Sequence, residues 1–146
     1  MALSLSQLNV KMGQIADRVE FQTARLARGV IFEIGDKLIT RTPVDTGFAR
    51  AGWIPSLGAP ALVGQSGLDP TGQRTIARVK NIGVLYQSGN VFFLVNRVPY
   101  LPSLNAGSSP QASPRFVQNT VRKAAATVFA RDNVDLGIGA AVRRGF

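Results

Sequence analysis

The chain has 146 residues, a size that suits one domain, and 45% of them are apolar, enough for a buried core. It contains no cysteine and no histidine, which excludes disulfides, thiolate metal sites and thiol nucleophiles, and removes the commonest general base and transition-metal ligand. With 17 Lys and Arg against 8 Asp and Glu the formal charge is +9, an excess that attracts phosphates or acidic protein neighbours.

Residues 4 to 40 read as one long helix. Ile15, Val19, Leu26, Val30, Ile34 and Leu38 recur at steps of four or seven, the spacing of a single helical face. Ser4 or Ser6 suits the start, and Pro43 sets the end by forcing the residue before it out of the helical region. Gly13, Gly29 and Gly35 weaken such a helix by about 1 kcal/mol each, so packing must hold it.

The segment 42–53, TPVDTGFARAGW, follows. Asp45 and Thr46 are turn formers, Gly47 and Gly52 permit tight geometry, and Trp53 is expected in the core with its indole N–H satisfied. Residues 54–73 are broken by repeated glycine and proline and read as a long loop, with at most a short strand at Trp53–Leu57. Residues 73–88 fit a short helix, and the apolar, β-branched and aromatic run at 91–96 is the best strand in the chain. A second loop is expected over 101–113. Ser113 and Pro114 then suit the cap and first position of a last helix, with Phe116 or Val117, Val121, Ala124 and Val128 on one face. The resulting fold class is α+β: a long N-terminal helix and a C-terminal helix packed on a small β-sheet, with long loops. One domain is expected over 1–131, and a glycine-rich C-terminal tail or arm over 132–146.

The N-terminus lacks a basic stretch followed by an apolar run, and nowhere do eighteen apolar residues run together. Neither a signal peptide nor a membrane partner is therefore expected. Gly64-Gln65-Ser66-Gly67 looks superficially like a phosphate loop, but no Gly-Lys-Ser/Thr follows. The few acids are dispersed, several of them three residues apart as surface helix pairs are. A turn-forming Asp45 is therefore favoured over a catalytic one. No catalytic residue, cofactor or metal site is expected, and the chain is not read as an enzyme.

Three segments in order, TPVDTGFARAGW (42–53), VNRVPYLPSLNAG (95–107) and SSPQASPRFVQNTV (108–121), carry a family resemblance. In this combination the chain resembles the small tail-completion or head–tail joining (neck) proteins of tailed bacteriophages. The matching residues are Thr42, Pro43, Val44, Asp45, Thr46, Gly47, Arg50 and Trp53, and later Asn96, Pro99, Tyr100, Gly107, Ser109, Gln111 and Ala112. Two departures stand out: Asn105-Ala106 where the family often carries an acidic residue, and Ser113 inserted before Pro114.

The resemblance implies a structural virion subunit, assembled in the host cytoplasm, that forms a ring at the neck, expected to be a hexamer. Its implied partners are further copies of itself, the connector or stopper, the tail terminator or tail tube, and the DNA passing through the channel. Pro43, Asp45, Thr46, Gly47, Arg50, Trp53, Asn96, Pro99, Tyr100, Gly107, Ser109 and Gln111 are then interface or structural-motif positions. Arg50, Arg97 and Arg115 are the candidates for DNA-channel contacts. The expected interface lies on the loops at 54–73 and 101–113 and on the C-terminal arm. A tail-terminator ring is the alternative within the structural class. A basic DNA-binding packaging factor comes next, and a hydrolase using carboxylates is weakest.

Overall fold

The computed structural model describes residues 4–64 and 67–132. Seven elements follow in order: α1 (Leu5–Arg41), α2 (Phe48–Ala51), β1 (Trp53–Leu57), α3 (Gln73–Gly83), β2 (Phe92–Asn96), α4 (Leu101–Ala106) and α5 (Phe116–Arg131). This is a mixed α+β fold.

Helix α1 begins in a capping box. Ser4 Oγ accepts from the Gln7 amide at 3.2 Å, and Gln7 Oε1 accepts from the Ser4 amide at 3.0 Å. It ends at Thr42, whose extended backbone (ψ 125°) is the conformation a following proline requires. At about 1.5 Å per residue the helix is roughly 55 Å long. Only its C-terminal half belongs to the domain, because every residue from Ser4 to Thr23 is exposed.

The expected α1 stripe is corrected here. Ile15 and Val19 are exposed, Leu26, Val30 and Ile34 are half-buried, and Leu38 alone of the six is buried. The buried positions are Ala24, Ile31, Gly35, Leu38 and Ile39. Small residues decide which face packs, since they let neighbouring helices approach. A Cβ at Gly35 would stand 2.5 Å from Val79 Cγ1 of α3, and one at Gly29 would stand 3.3 Å from Val128 Cγ1 of α5. These glycines are seats for α3 and α5 rather than weak points.

Strands β1 and β2 pair antiparallel, from Trp53 opposite Asn96 to Leu57 opposite Phe92. Helix α3 joins them and packs on both β1 and α1, while α5 lies along α1. The core gathers Ile31, Leu38, Ile39, Trp53, Ile76, Val79 and Phe116, with Phe92, Leu94, Leu101 and Leu104 at its rim.

Three expected boundaries move. Helix α3 stops at Gly83 rather than running to 88, since Leu85 and Tyr86 donate to Ile82 and Gly83 in tight turns. The Arg28 guanidinium then fixes the turn through two bonds to the Tyr86 carbonyl, 2.9 and 2.6 Å. Part of the expected 101–113 loop is the helix α4, with Pro102 in its first turn, where the missing N–H costs nothing. Helix α5 starts at Phe116, not at Ser113-Pro114, because Arg115 takes a left-handed backbone (φ 61°). Its cap comes from elsewhere: Asn105 Oδ1 accepts from the Val117 amide at 3.0 Å. Apart from Asp132, the expected C-terminal arm lies outside the described residues.

Candidate interface around the Thr42–Trp53 segment

Thr42 is fully buried where α1 ends. Its hydroxyl donates to the Leu38 carbonyl at 2.8 Å and accepts from the indole N–H of Trp53 at 2.9 Å. Trp53 is 4% exposed, so the sequence expectation of a core tryptophan with a satisfied N–H is met. The Thr42 carbonyl accepts from Arg50 Nε at 2.9 Å, while Arg50 Nη2 reaches the Thr40 carbonyl at 2.9 Å and Nη1 the Pro70 carbonyl at 2.6 Å. A guanidinium at a helix C-terminus meets orphan carbonyls and the negative end of the helix dipole. Each nitrogen of Arg50 is thus committed to backbone, which makes it a staple between α1 and the 69–72 turn.

Gly47 sits at the closest approach of the two loops. Its backbone is left-handed (φ 91°), and a Cβ there would overlap the Asp69–Pro70 backbone. Its carbonyl accepts from the Asp69 amide at 3.1 Å. Asp69 itself, which the sequence reading did not single out, is 4% exposed. Its carboxylate accepts from the Thr75 amide and hydroxyl, both 2.8 Å, and from the Gly72 amide at 3.1 Å. It caps α3 from four residues before the helix begins. Burial alone would raise its pKa, but the Thr75 and Gly72 donors, with the Arg74 charge, hold the carboxyl below its ordinary value. The signal was present as Asp-Pro-Thr-Gly ahead of the helix, hidden among other glycines and prolines.

Beside this carboxylate lies a cleft of about 310 Å³ lined by Asp69, Arg74, Thr75 and Arg78. Arg78 donates to the Ala51 carbonyl at 2.9 Å and to Thr75 Oγ1 at 3.0 Å, while its Nε is buried without a partner. Burial pushes the Arg78 guanidinium below its ordinary pKa, against the opposing pull of Asp69.

The other motif segments close on the same segment. Gln111 pairs with the Val44 backbone in both directions, Nε2 to the carbonyl and Oε1 from the amide, each 2.9 Å. Ser109 Oγ accepts from the Gln111 amide at 3.2 Å. Asn96 Nδ2 donates to the Ala49 carbonyl at 2.8 Å, and its Oδ1 accepts from the Val98 amide at 3.0 Å. Gly107 is left-handed (φ 103°) and lies under Pro114, whose Cγ would stand 2.7 Å from an added Cβ. A shallow cleft of about 170 Å³ results, lined by Pro43, Asp45, Thr46, Gly47, Tyr100, Ser109 and Gln111 among others. Asp45, Thr46 and Tyr100 of its lining remain exposed, as does Pro99, next to Tyr100 in the chain. Arg97, which donates to the Ala61 carbonyl at 3.3 Å, and Arg115, at the α5 start, do not line this cleft.

Among the described residues no group of three or more acidic side chains is placed to hold a metal ion, and no helix is long and apolar enough to cross a membrane. Ion pairing there is limited to Asp36–Lys37 and Asp132–Arg131, both between chain neighbours. Comparison with family models, curated proteins and solved structures finds no match.

Proposed function

We propose that the chain is a structural subunit of the neck of a tailed-phage particle, forming a ring that joins or completes the tail at the head. The observation that carries this reading is the convergence of the three motif segments, 42–53, 95–107 and 108–121, on one patch. There Arg50, Asn96 and Gln111 are spent on backbone carbonyls and amides, as in a scaffold that presents a surface. Asp45, Thr46 and Tyr100 are what the patch offers to a neighbour.

Two further features support an assembly subunit. The two-stranded sheet has a free outer edge on each strand among the described residues, and such edges pair readily with another chain. The loop after β1 holds Leu62 and Val63 about four-fifths exposed, apolar surface that a ring contact would bury. A tail-terminator ring shares these features and differs in its position on the particle. Negative-stain microscopy of the purified chain tests the reading: closed rings of uniform diameter are expected. A strictly monomeric protein that binds duplex DNA at physiological salt would instead favour a packaging factor.

A further inference from the structure

The projecting half of α1 has an apolar seam that the described residues of the domain leave uncovered. Leu5, Leu8, Met12, Ile15 and Val19 follow one another at steps of three, four, three and four, and all are exposed. Past the polar Gln22, the half-buried Leu26 takes the next place in the series, at the edge of the domain. That alternation is the heptad pattern by which one helix seats another. At 3.6 residues per turn the seam falls on the side of α1 roughly opposite Ala24, Ile31 and Gly35, which face the core. It is therefore not the core stripe carried past the edge of the domain.

The two edges of the seam differ. Along one run Lys11, Arg18 and Arg25; along the other run Asn9, Ala16 and Thr23, which are uncharged. Asp17 and Glu20 lie away from the seam. Antiparallel pairing of two copies would set the basic edges against each other, and parallel pairing would set them against neutral residues, so self-pairing gains no ionic match. Insertion into a membrane surface favours a broad apolar face with cations on both borders. Here the stripe is narrow and cationic on one side only.

We infer that α1 residues 5–26 form a docking seam for an amphipathic helix of another protein, one with an apolar heptad face and Asp or Glu along the edge that meets Lys11, Arg18 and Arg25. The inference rests on these residues and stands independently of the neck reading.

The test uses the full chain and a labelled peptide of about three heptads, with Leu and Ile in the seam and Glu at both edges. A counterpart with Lys at both edges serves as control. Fluorescence anisotropy is expected to show binding of the Glu-edged peptide that weakens with salt, and little binding of the Lys-edged one. Met12→Ser with Ile15→Ser is expected to weaken binding by more than about a hundredfold. Lys11→Glu with Arg18→Glu is expected to reverse the preference toward the Lys-edged peptide. All four positions are exposed and remote from the core, so the fold, read by circular dichroism and melting, stays as in the parent chain. Rings also persist in both variants, which separates failure of this inference from failure of the neck reading. Equal binding of the two peptides, or none, overturns the inference. So does self-association, or binding to phosphatidylglycerol vesicles, that the Met12→Ser/Ile15→Ser change abolishes.

Discussion

Asp69 concentrates more of the fold in one side chain than any residue the sequence singled out. Four hydrogen-bonding groups of the 71–75 stretch turn toward its carboxylate, those of Thr75 and Gly72 closely and the Thr71 hydroxyl more distantly at 3.4 Å. Asp69→Ala takes the acceptor from the buried Thr75 amide and hydroxyl, while the Gly72 amide keeps the Asp69 main-chain carbonyl, and is expected to cost about 2–3 kcal/mol in urea unfolding. Because the folded pKa of Asp69 lies below its ordinary value, the folded state binds its proton less readily than the unfolded chain. Its contribution is thus fully present above the unfolded pKa, near about 4, and is lost as pH falls through the folded value. Unfolding midpoints measured between about pH 5 and pH 2 should fall more steeply in the parent chain than in Asp69→Ala. Trp53→Phe keeps most of the apolar volume but removes the donor to buried Thr42 Oγ1, an expected loss of about 1–2 kcal/mol. Trp53 was legible because a lone tryptophan beside a tight turn has few places to go. Asp69 was not, since its partners lie up to six residues onward and the pairing depends on how the loop folds back over Gly47.

At the scale of elements, glycines in α1 separate what packs from what projects. An added methyl at Gly35 meets Val79, whereas one at Gly13 meets nothing within 4 Å. Gly35→Ala should therefore destabilise the domain by about 1–3 kcal/mol through overpacking. Gly13→Ala should raise the helical signal in circular dichroism, given alanine's advantage of about 1 kcal/mol, and leave the melting temperature of the domain nearly unchanged. The extent of α1 and the strand at 92–96 were readable from caps, proline and apolar runs. Which face of α1 is buried was not, because apolar residues occupy two sides of the helix. One side is the projecting seam, and the core uses the other, at Ala24, Ile31, Gly35, Leu38 and Ile39. The start of α5 was misplaced for a related reason. A Ser-Pro pair is a good local cap, yet Asn105 supplies the cap from α4, and the left-handed Arg115 ends the preceding loop.

For the whole molecule, surface that the domain leaves uncovered carries the account. A basic chain with few internal ion pairs among its described residues, free sheet edges and a helix projecting for half its length is poorly finished as a solitary domain. The loops at 54–73 and 101–113, where an interface was expected, are not uniform in what they do. Asp69 of the first loop and Gln111 of the second bond to the domain's own backbone, while Leu62 and Val63 of the first face outward. The α+β class followed from element order, whereas the meeting of three distant motif segments required the coordinates. The most direct measurement of the central claim, that this is a ring-forming neck subunit, is sedimentation of the purified full chain over a concentration series, paired with negative-stain imaging. The account predicts a single closed oligomer seen as rings, and a protein that stays monomeric at every concentration would contradict it.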